Sequence, residues 1–475
     1  LKWYCQSHIL YTMSNIESVS RLESWLGTYL NFEKLPQKNI FWLDTIQFLC
    51  SRFENPQNCA PAVHIAGSKG KGSVSEMISS ILEEYGLYTG LYTSPHIIDF
   101  TERIGTAHAV FPTAVYDDSV RELMDGIKAI PVSDYPGERP LTWFELVTLF
   151  AFLCFRRAHI AYGVYEVGLG GRLDATNVLL PRICAITPIE LEHTQFLGST
   201  VEKIAGEKAG IIKKEVPVII ASQKESVRKV FRSKAEQEHA PVFFVDELLK
   251  KSTFSYSVKK DCVKNHTHSS ELYNSIGMHI HLESDLFNRP VETILQMPGE
   301  FQVQNAALAS FAVKKLLPDI DETVIENGLA KAVLPGRFET VHPRHTGWTS
   351  CVILDGAHTV NSIRFTVDTL NACIPAAKVH LLFACAADKD VEDIAVLLKD
   401  RFSKVTLTRP GSIKQSDTQR MKKAFTAAGI GFTYTGEYVQ AVQNSLEAAG
   451  QENAVLLVTG SFYLVSEVKK VLACC

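Results

Sequence analysis

Two stretches near the start of the chain, residues 21–30 and 41–52, carry apolar side chains at helical spacing, with Pro36 between them. A short apolar strand candidate, Ala62–Ala66, follows and runs directly into Gly67-Ser68-Lys69-Gly70-Lys71-Gly72-Ser73. Val74, Met77, Ile78, Ile81, Leu82 and Tyr85 then recur at helical period, and Gly86 is placed to stop the helix. Further apolar runs at 161–167, 183–188 and 216–221 predict buried strands with helical segments between them. That alternation predicts an α/β fold built on a mostly parallel, doubly wound sheet.

The pattern weakens over 230–296, which reads as polar and irregular. Two His-x-His pairs lie there, His266 with His268 and His279 with His281. On a strand each pair shares a face, which could hold a metal, but no carboxylate stands beside them in a fixed pattern. Exposed strand histidines are the expectation. Leu334-Pro335-Gly336-Arg337 reads as a hinge, and a second alternating series follows it. Its strands are expected at 351–354, Val379–Phe383, 405–407, 432–434 and 455–458, with helices such as Val391–Leu398 and 438–448 between them. Two domains are therefore expected: 13–334, with the glycine-rich loop, and 338–475, smaller and Rossmann-like.

Composition narrows the class. A chain of 475 residues exceeds one ordinary core, and 46% apolar with 21% charged residues fits a water-soluble globular protein. A net charge of −4 argues against a general nucleic-acid binder, which needs a broad basic face. The 11 cysteines are scattered without zinc-type spacing, which suggests free thiols in a reducing cytoplasm. No apolar run has the length of a membrane span. Leu1 to Thr12 lack the features of a signal peptide, and Met13 is as good a first residue as Leu1.

The glycine-rich loop carries the clearest chemistry. Strand, glycine loop and helix is the arrangement in which backbone N–H groups and a helix N-terminus receive phosphate, with Lys71 as a point charge for the β- and γ-phosphates. The spacing departs from the common G-x-x-x-x-G-K-[ST], and no Asn/Thr-Lys-x-Asp element is present to read guanine.

At this loop the chain resembles the folylpolyglutamate synthase/dihydrofolate synthase branch of the Mur ligase superfamily. His64 to Ser73 is similar to that branch's nucleotide loop, with Ser68-Lys69 where Thr-Asn is usual. Further matches follow in family order: Tyr92-Thr93-Ser94-Pro95-His96 with Glu102-Arg103-Ile104, Leu141 to Glu145, Glu166 to Asn177 and Glu192-His193-Thr194. Glu207 to Lys213, Pro335-Gly336-Arg337, Asp355-Gly356-Ala357-His358, Asp388-Lys389-Asp390 and Gly460 to Val465 complete the series.

The resemblance implies an ADP-forming ligase that adds L-glutamate to a folate through an acyl phosphate. Whether dihydropteroate is also an acceptor stays open; its pterin would lie near residues 29–44. The implied cofactors are ATP and two magnesium ions. Gly67 to Ser73, Asn305, Arg337 and Asp355 are the implied nucleotide residues: Asn305 at the adenine edge, Arg337 at the phosphates, and Asp355 at the ribose while positioning His358. Ser94, Glu145 and His193 are the implied metal ligands. Each has an ordinary reading by itself, as a turn residue, a surface helix charge and a helix cap. Tyr92 to His96 is the implied mobile loop beside the phosphates. Lys208 is expected to carry a carbamate that helps hold the second magnesium; paired with Glu207 it would be an ordinary helix lysine. Phe301 stands where histidine is usual, Thr359-Val360 where Asn-Pro is usual, and Glu192 where aspartate is usual. A monomer is expected, with neither nucleic acid nor membrane as partner. A cell-wall Mur-type ligase and a non-catalytic nucleotide-binding relative are the competing readings.

Overall fold

The structure is a computed structural model that describes residues 16–31, 42–265, 268–342, 351–411 and 415–473. Met13, Pro36, His266 and most of the segment expected near the pterin lie outside them.

The first part of the chain builds a seven-stranded sheet: β1 (Ala62–Ala66), β2 (Thr89–Tyr92), β3 (Ile104–Gly105), β4 (Tyr162–Glu166), β5 (Ile183–Ile186), β6 (Val218–Ile220) and β7 (Val242–Phe244). Its order is β3-β2-β4-β1-β5-β6-β7, parallel except for β3. All five residues of β1 are buried, because helices cover both faces of the sheet. On one face Val63 and Ile65 pack with Met77, Ile78 and Ile81 of the Lys71–Glu84 helix and with the Phe301–Leu316 helix. The chain leaves β1 toward β2 on one side, and from β4 it crosses to β5 on the other. This change of direction opens a crevice beyond the carboxyl ends of β1, β4 and β5, where ligands bind in such sheets.

Where the sequence reads as irregular, the structure has regular elements: the Glu225–Gln237 helix, then a long antiparallel hairpin, β8 (Leu249–Asn265) and β9 (His268–Ser284), edged by β10 (Val291–Leu295). The signal was present, since Phe254, Tyr256 and Val258 alternate with polar residues, as do Ile276, Met278, Ile280 and Leu282. Met278, Ile280 and Leu282 enter the core of the first sheet, whereas Ile276 is buried in the core of the second. The hairpin thus spans both bodies. His281 bridges Glu292 and Glu283, at 2.7 Å on each ring nitrogen.

The second body holds β11 (Glu339–Val341), β12 (Val352–Leu354), β13 (Val379–Phe383), β14 (Lys404–Leu407), β15 (Thr433–Tyr434) and β16 (Val455–Thr459). The order is β11-β12-β16-β13-β14-β15, with only β11 antiparallel. The strands β2, β3, β7 and β11, of two to four residues each, lie outside the expected apolar runs. No helix among the described residues is long and apolar enough to cross a membrane.

Candidate active site

The loop after β1 is shaped by two glycines for which no other residue fits. Gly67 has φ +142°, and a Cβ there would fall 1.8 Å from Thr187 Oγ1. Gly70 has φ +89°, and a Cβ would fall 2.7 Å from Asn305 Oδ1. Lys71 begins the Lys71–Glu84 helix, so its charge adds to the positive helix terminus. Ser68 is an anchor for the loop: its N–H donates to Pro188 O at 3.0 Å and its hydroxyl to Glu190 O at 3.1 Å. Ser73 is buried and accepts from Gln302 Nε2 at 3.4 Å.

Two carboxylates face this loop. Glu166, the last residue of β4, pairs in register with Ile65 of β1 and comes to the same crevice. Its Oε2 accepts the Ser94 N–H at 3.1 Å. Burial pushes Glu166 up, while Lys71, the Ser94 N–H and Arg337 pull it back. Glu192 lies between two lysines, 3.5 Å from Lys69 Nζ and 3.3 Å from Lys208 Nζ. Burial would raise it, but Lys71, Lys208 and Lys69 outweigh that and hold it below the usual range. Lys208 is 2% exposed and donates to Gly67 O at 2.7 Å. Burial, with the Lys71 charge second, brings its amine down to about 8. Beside them His193 has φ +47° at the start of a short helix, and burial holds its ring below the usual value.

Glu145 is not brought to this loop. It closes a capping box at the start of the Trp143–Ala158 helix, where its Oε2 accepts from Thr142 N at 2.8 Å and from Thr142 Oγ1 at 2.7 Å. The ionic charges acting on it are those of Asp44 and Arg139. The carboxylate that meets Ser94 is that of Glu166, which sequence reasoning left without a role. The available signal was its place at the carboxyl end of a strand beside the loop strand. Asn305 is buried under the loop, donating to Gln302 Oε1 at 2.8 Å with its Oδ1 toward Gly70. The Ser94 loop is tied down by Glu102, which accepts from Ile97, Ile98 and Asp99 N–H groups at 2.7, 2.8 and 2.9 Å. Arg103 beside it donates to His96 Nδ1 at 2.8 Å and lies over the Trp143 ring.

The second body contributes Arg337 and His358. Arg337 stacks on Phe462 at 4.3 Å and sits where both Asp355 and Glu166 act on its charge. Asp355 serves the backbone: it accepts from Phe338 N and Ala357 N, each at 2.9 Å, and from Thr366 Oγ1 at 3.0 Å. Through the Ala357 N–H it fixes the backbone that carries His358. The His358 Nδ1 bonds Gly356 O at 2.8 Å, and the ring lies edge-on to Phe462. That bond makes Nδ1 the protonated nitrogen and leaves Nε2 as an acceptor. Burial brings the ring down to about 4, so it is neutral at pH 7. Thr359 caps the Val360–Cys373 helix, a role that explains its acceptance in place of asparagine. Phe301 touches Phe365 of that helix across the two bodies, at 5.5 Å.

Among the described residues no three His, Cys, Asp or Glu side chains converge on one metal position. The donors near Lys71 are instead two carboxylates (Glu166 and Glu192) and an imidazole (His193), with Ser94 joined to Glu166 through its N–H. That set suits magnesium, which takes few protein ligands and fills its shell with phosphate oxygens and water.

A phosphate loop in one α/β body, facing an arginine and a histidine from a second, defines an ATP-dependent ligase of the Mur class. The Mur ligase middle domain matches residues 65–313, and the Mur ligase glutamate ligase domain matches 336–462. The chain is 30% identical to dihydrofolate synthase/folylpolyglutamate synthase of Bacillus subtilis, over 94% of this chain and 97% of that protein. It superposes on Thermotoga maritima folylpolyglutamate synthase with TM-score 0.74 and 27% identity, covering 96% of this chain and 97% of the other. Mycobacterium tuberculosis folylpolyglutamate synthase complexed with ADP gives TM-score 0.77 at 25% identity, covering 96% and 98%. The chain belongs to the folylpolyglutamate synthase/dihydrofolate synthase family of the Mur ligases.

Proposed function

We propose that this chain is an ADP-forming ligase that joins L-glutamate to the carboxylate of a folate. The observation that carries the reading is the meeting of Lys71, Glu166, Arg337 and a neutral His358 at the carboxyl ends of β1, β4 and β12. An unactivated carboxylate does not react with an amine, because it lacks a leaving group. The carboxylate therefore takes the γ-phosphoryl group of ATP, ADP departs, and the glutamate amine displaces phosphate from the acyl phosphate. Transfer of this kind needs alignment and charge neutralisation above all. Lys71 and the loop N–H groups bind the phosphates, with Arg337 closing on them from the second body. Ser94, Glu166 and His193 would hold magnesium, which when bound offsets phosphate charge. His358, fixed through Nδ1, presents Nε2 to accept a proton or hydrogen bond near the reacting oxygens.

Lys208 is the proposed site of a carbamate toward a second magnesium. It is buried, and an amine brought down to about 8 is more often in the neutral form that reacts with carbon dioxide. A carbamate there would replace the ammonium that now donates to Gly67 O and pairs with Glu192, turning that ion pair into a contact between two anions for a metal to bridge.

Tetrahydrofolate and dihydropteroate are both proposed acceptors, in the cytoplasm and in a monomer, since one chain carries every group named. The test is ADP release with each acceptor offered in parallel, with and without glutamate. Release that requires both an acceptor and glutamate supports the reading, and the preferred acceptor divides the two activities. Release that ignores folates but follows a UDP-sugar peptide would favour a cell-wall ligase instead.

A further inference from the structure

Glu192 is shared by two lysines that are held very differently. Lys208 is 2% exposed and has two partners, Gly67 O at 2.7 Å and Glu192 Oε1 at 3.3 Å. Lys69 has a side chain 39% exposed, and its one ionic partner among the described residues is Glu192 Oε2, at 3.5 Å. The backbone at Lys69 is pinned on both sides. Ser68 N donates to Pro188 O at 3.0 Å and Ser68 Oγ to Glu190 O at 3.1 Å. After Lys69 comes Gly70, left-handed at φ +89°, whose carbonyl accepts from Val74 N at 2.9 Å and so opens the Lys71–Glu84 helix. The flexible stem of Lys69 can therefore turn while its Cα stays in place. Its charge is felt at His193 in the first body and at His358 in the second, the groups assigned to the reacting end of the nucleotide.

We propose that Lys69 is a second lysine for the transferring phosphoryl group: its ammonium rests on Glu192 and passes to a γ-phosphate oxygen when ATP binds. This rests on the reading of the site as a nucleotide site, though not on the identity of the acceptor. The loop backbone and Lys71 already have their roles there; the Lys69 side chain is the addition. No covalent bond changes and no proton moves, so the exchange is one of charge. A terminal phosphate group carries about two negative charges at pH 7, against one on Glu192. The ammonium therefore gains by the move, and a bond to a phosphate oxygen is charge-assisted. Glu192 is not stranded when Lys69 leaves, because Lys208 still donates to it. A cation bridging Glu192 to a carbamate on Lys208 would displace Lys69 in the same direction. Lys208 cannot take this part itself, since it is enclosed and tied to Gly67 O.

The test compares two nucleotides. ADP engages the loop, whereas the non-hydrolysable ATP analogue AMP-PCP also presents the terminal phosphate. Dissociation constants for both are measured by calorimetry on the full chain, with magnesium and again in EDTA. With magnesium, K69Q is expected to weaken AMP-PCP about tenfold while ADP changes less than about twofold, the loss of one charge-assisted bond set against a partly exposed ion pair. K69M, of similar length and also uncharged, should match it. In EDTA, E192Q removes the competitor for Lys69, so AMP-PCP should tighten about threefold relative to ADP. That relative gain should vanish in the K69Q/E192Q double variant, because no ammonium is left to release. Unchanged AMP-PCP binding in K69Q or K69M would overturn the proposal, as would equal weakening of both nucleotides. A relative gain in E192Q that survives in the double variant, or no gain at all, would overturn the exchange with Glu192. Should E192Q not fold, or AMP-PCP not bind in EDTA, K69Q and K69M with magnesium decide the matter. A parent protein that binds neither nucleotide would defeat the functional reading and not the Lys69 argument alone.

Discussion

Exchanging Glu166 and Glu145 in turn separates the ligand role from the structural role of two carboxylates. Glu166→Gln keeps the shape and an acceptor for the Ser94 N–H, which lies 3.1 Å from the present Oε2, but removes the charge. A charged donor exceeds a neutral one by about 1–2 kcal/mol. That corresponds to about a fivefold to thirtyfold rise in the magnesium needed for half activity. Glu145→Ala removes the two bonds that the carboxylate accepts from Thr142 but keeps the backbone donation to Thr142 Oγ1, a loss of about 1 kcal/mol of stability, and leaves the magnesium curve where it was. The assay is the initial rate of ADP release against free magnesium at saturating ATP, glutamate and folate, with thermal unfolding measured alongside. A Glu166→Gln curve that superposes on the parent's, or a Glu145→Ala curve shifted as far, would refute the assignment.

Lys71→Ala should lower turnover at least about 100-fold with the fold intact, from loss of roughly 3 kcal/mol at the transferring phosphate; steady-state kinetics on protein with native circular dichroism checks this. Lys208→Ala should be poorly active and partly rescued by acetate, and density at the lysine in a crystal grown with nucleotide and magnesium should show the added carboxyl group. Lack of rescue together with a plain amine in that crystal counts against the carbamate. Burial raises Glu83 from 4.5 to about 7, so between those values the folded chain holds a proton that the unfolded chain has lost. Stability from this group is intact below pH 4.5 and is lost as pH rises toward 7. Glu83→Gln should therefore raise the melting temperature at pH 8 and leave it nearly unchanged at pH 4.5. An equal gain at both values would remove burial of the charge as the cause.

Mostly apolar runs made β1, β4, β5 and β6 legible, because strands covered on both faces hold a polar residue only where it finds a partner, as His64 of β1 does on Thr176. The second Rossmann-like series was readable for the same reason. The hairpin was missed although its alternation is regular: lysines and serines on the open faces of β8 lowered the mean hydropathy until the segment looked unstructured. In the site, the loop and Lys71 were local facts of sequence. Glu166 was not, because its role depends on β4 lying beside β1, a pairing of residues about a hundred positions apart. Glu145 misled for a related reason. A glutamate three residues after a threonine at a helix start is what a capping box requires, and that demand is met within one turn. Asn305 and Asp355 carry polar groups that the backbone and neighbouring side chains use.

The β8–β9 hairpin limits how this enzyme can be taken apart. Sequence alone invites division at Pro335 into a nucleotide half and a glutamate half. Yet Ile276 is buried at 3% in the second core, with Tyr256 and Val258 packed against that core, while Met278, Ile280 and Leu282 belong to the first. A fragment ending at Pro335 would keep the ribbon and expose its outer apolar stripe to water, on a two-stranded edge well suited to pairing with another copy. The complementary fragment would present a bare patch where Ile276 had been. Neither half is an autonomous unit, so recombining domains between relatives requires that the ribbon be exchanged with the partner it covers.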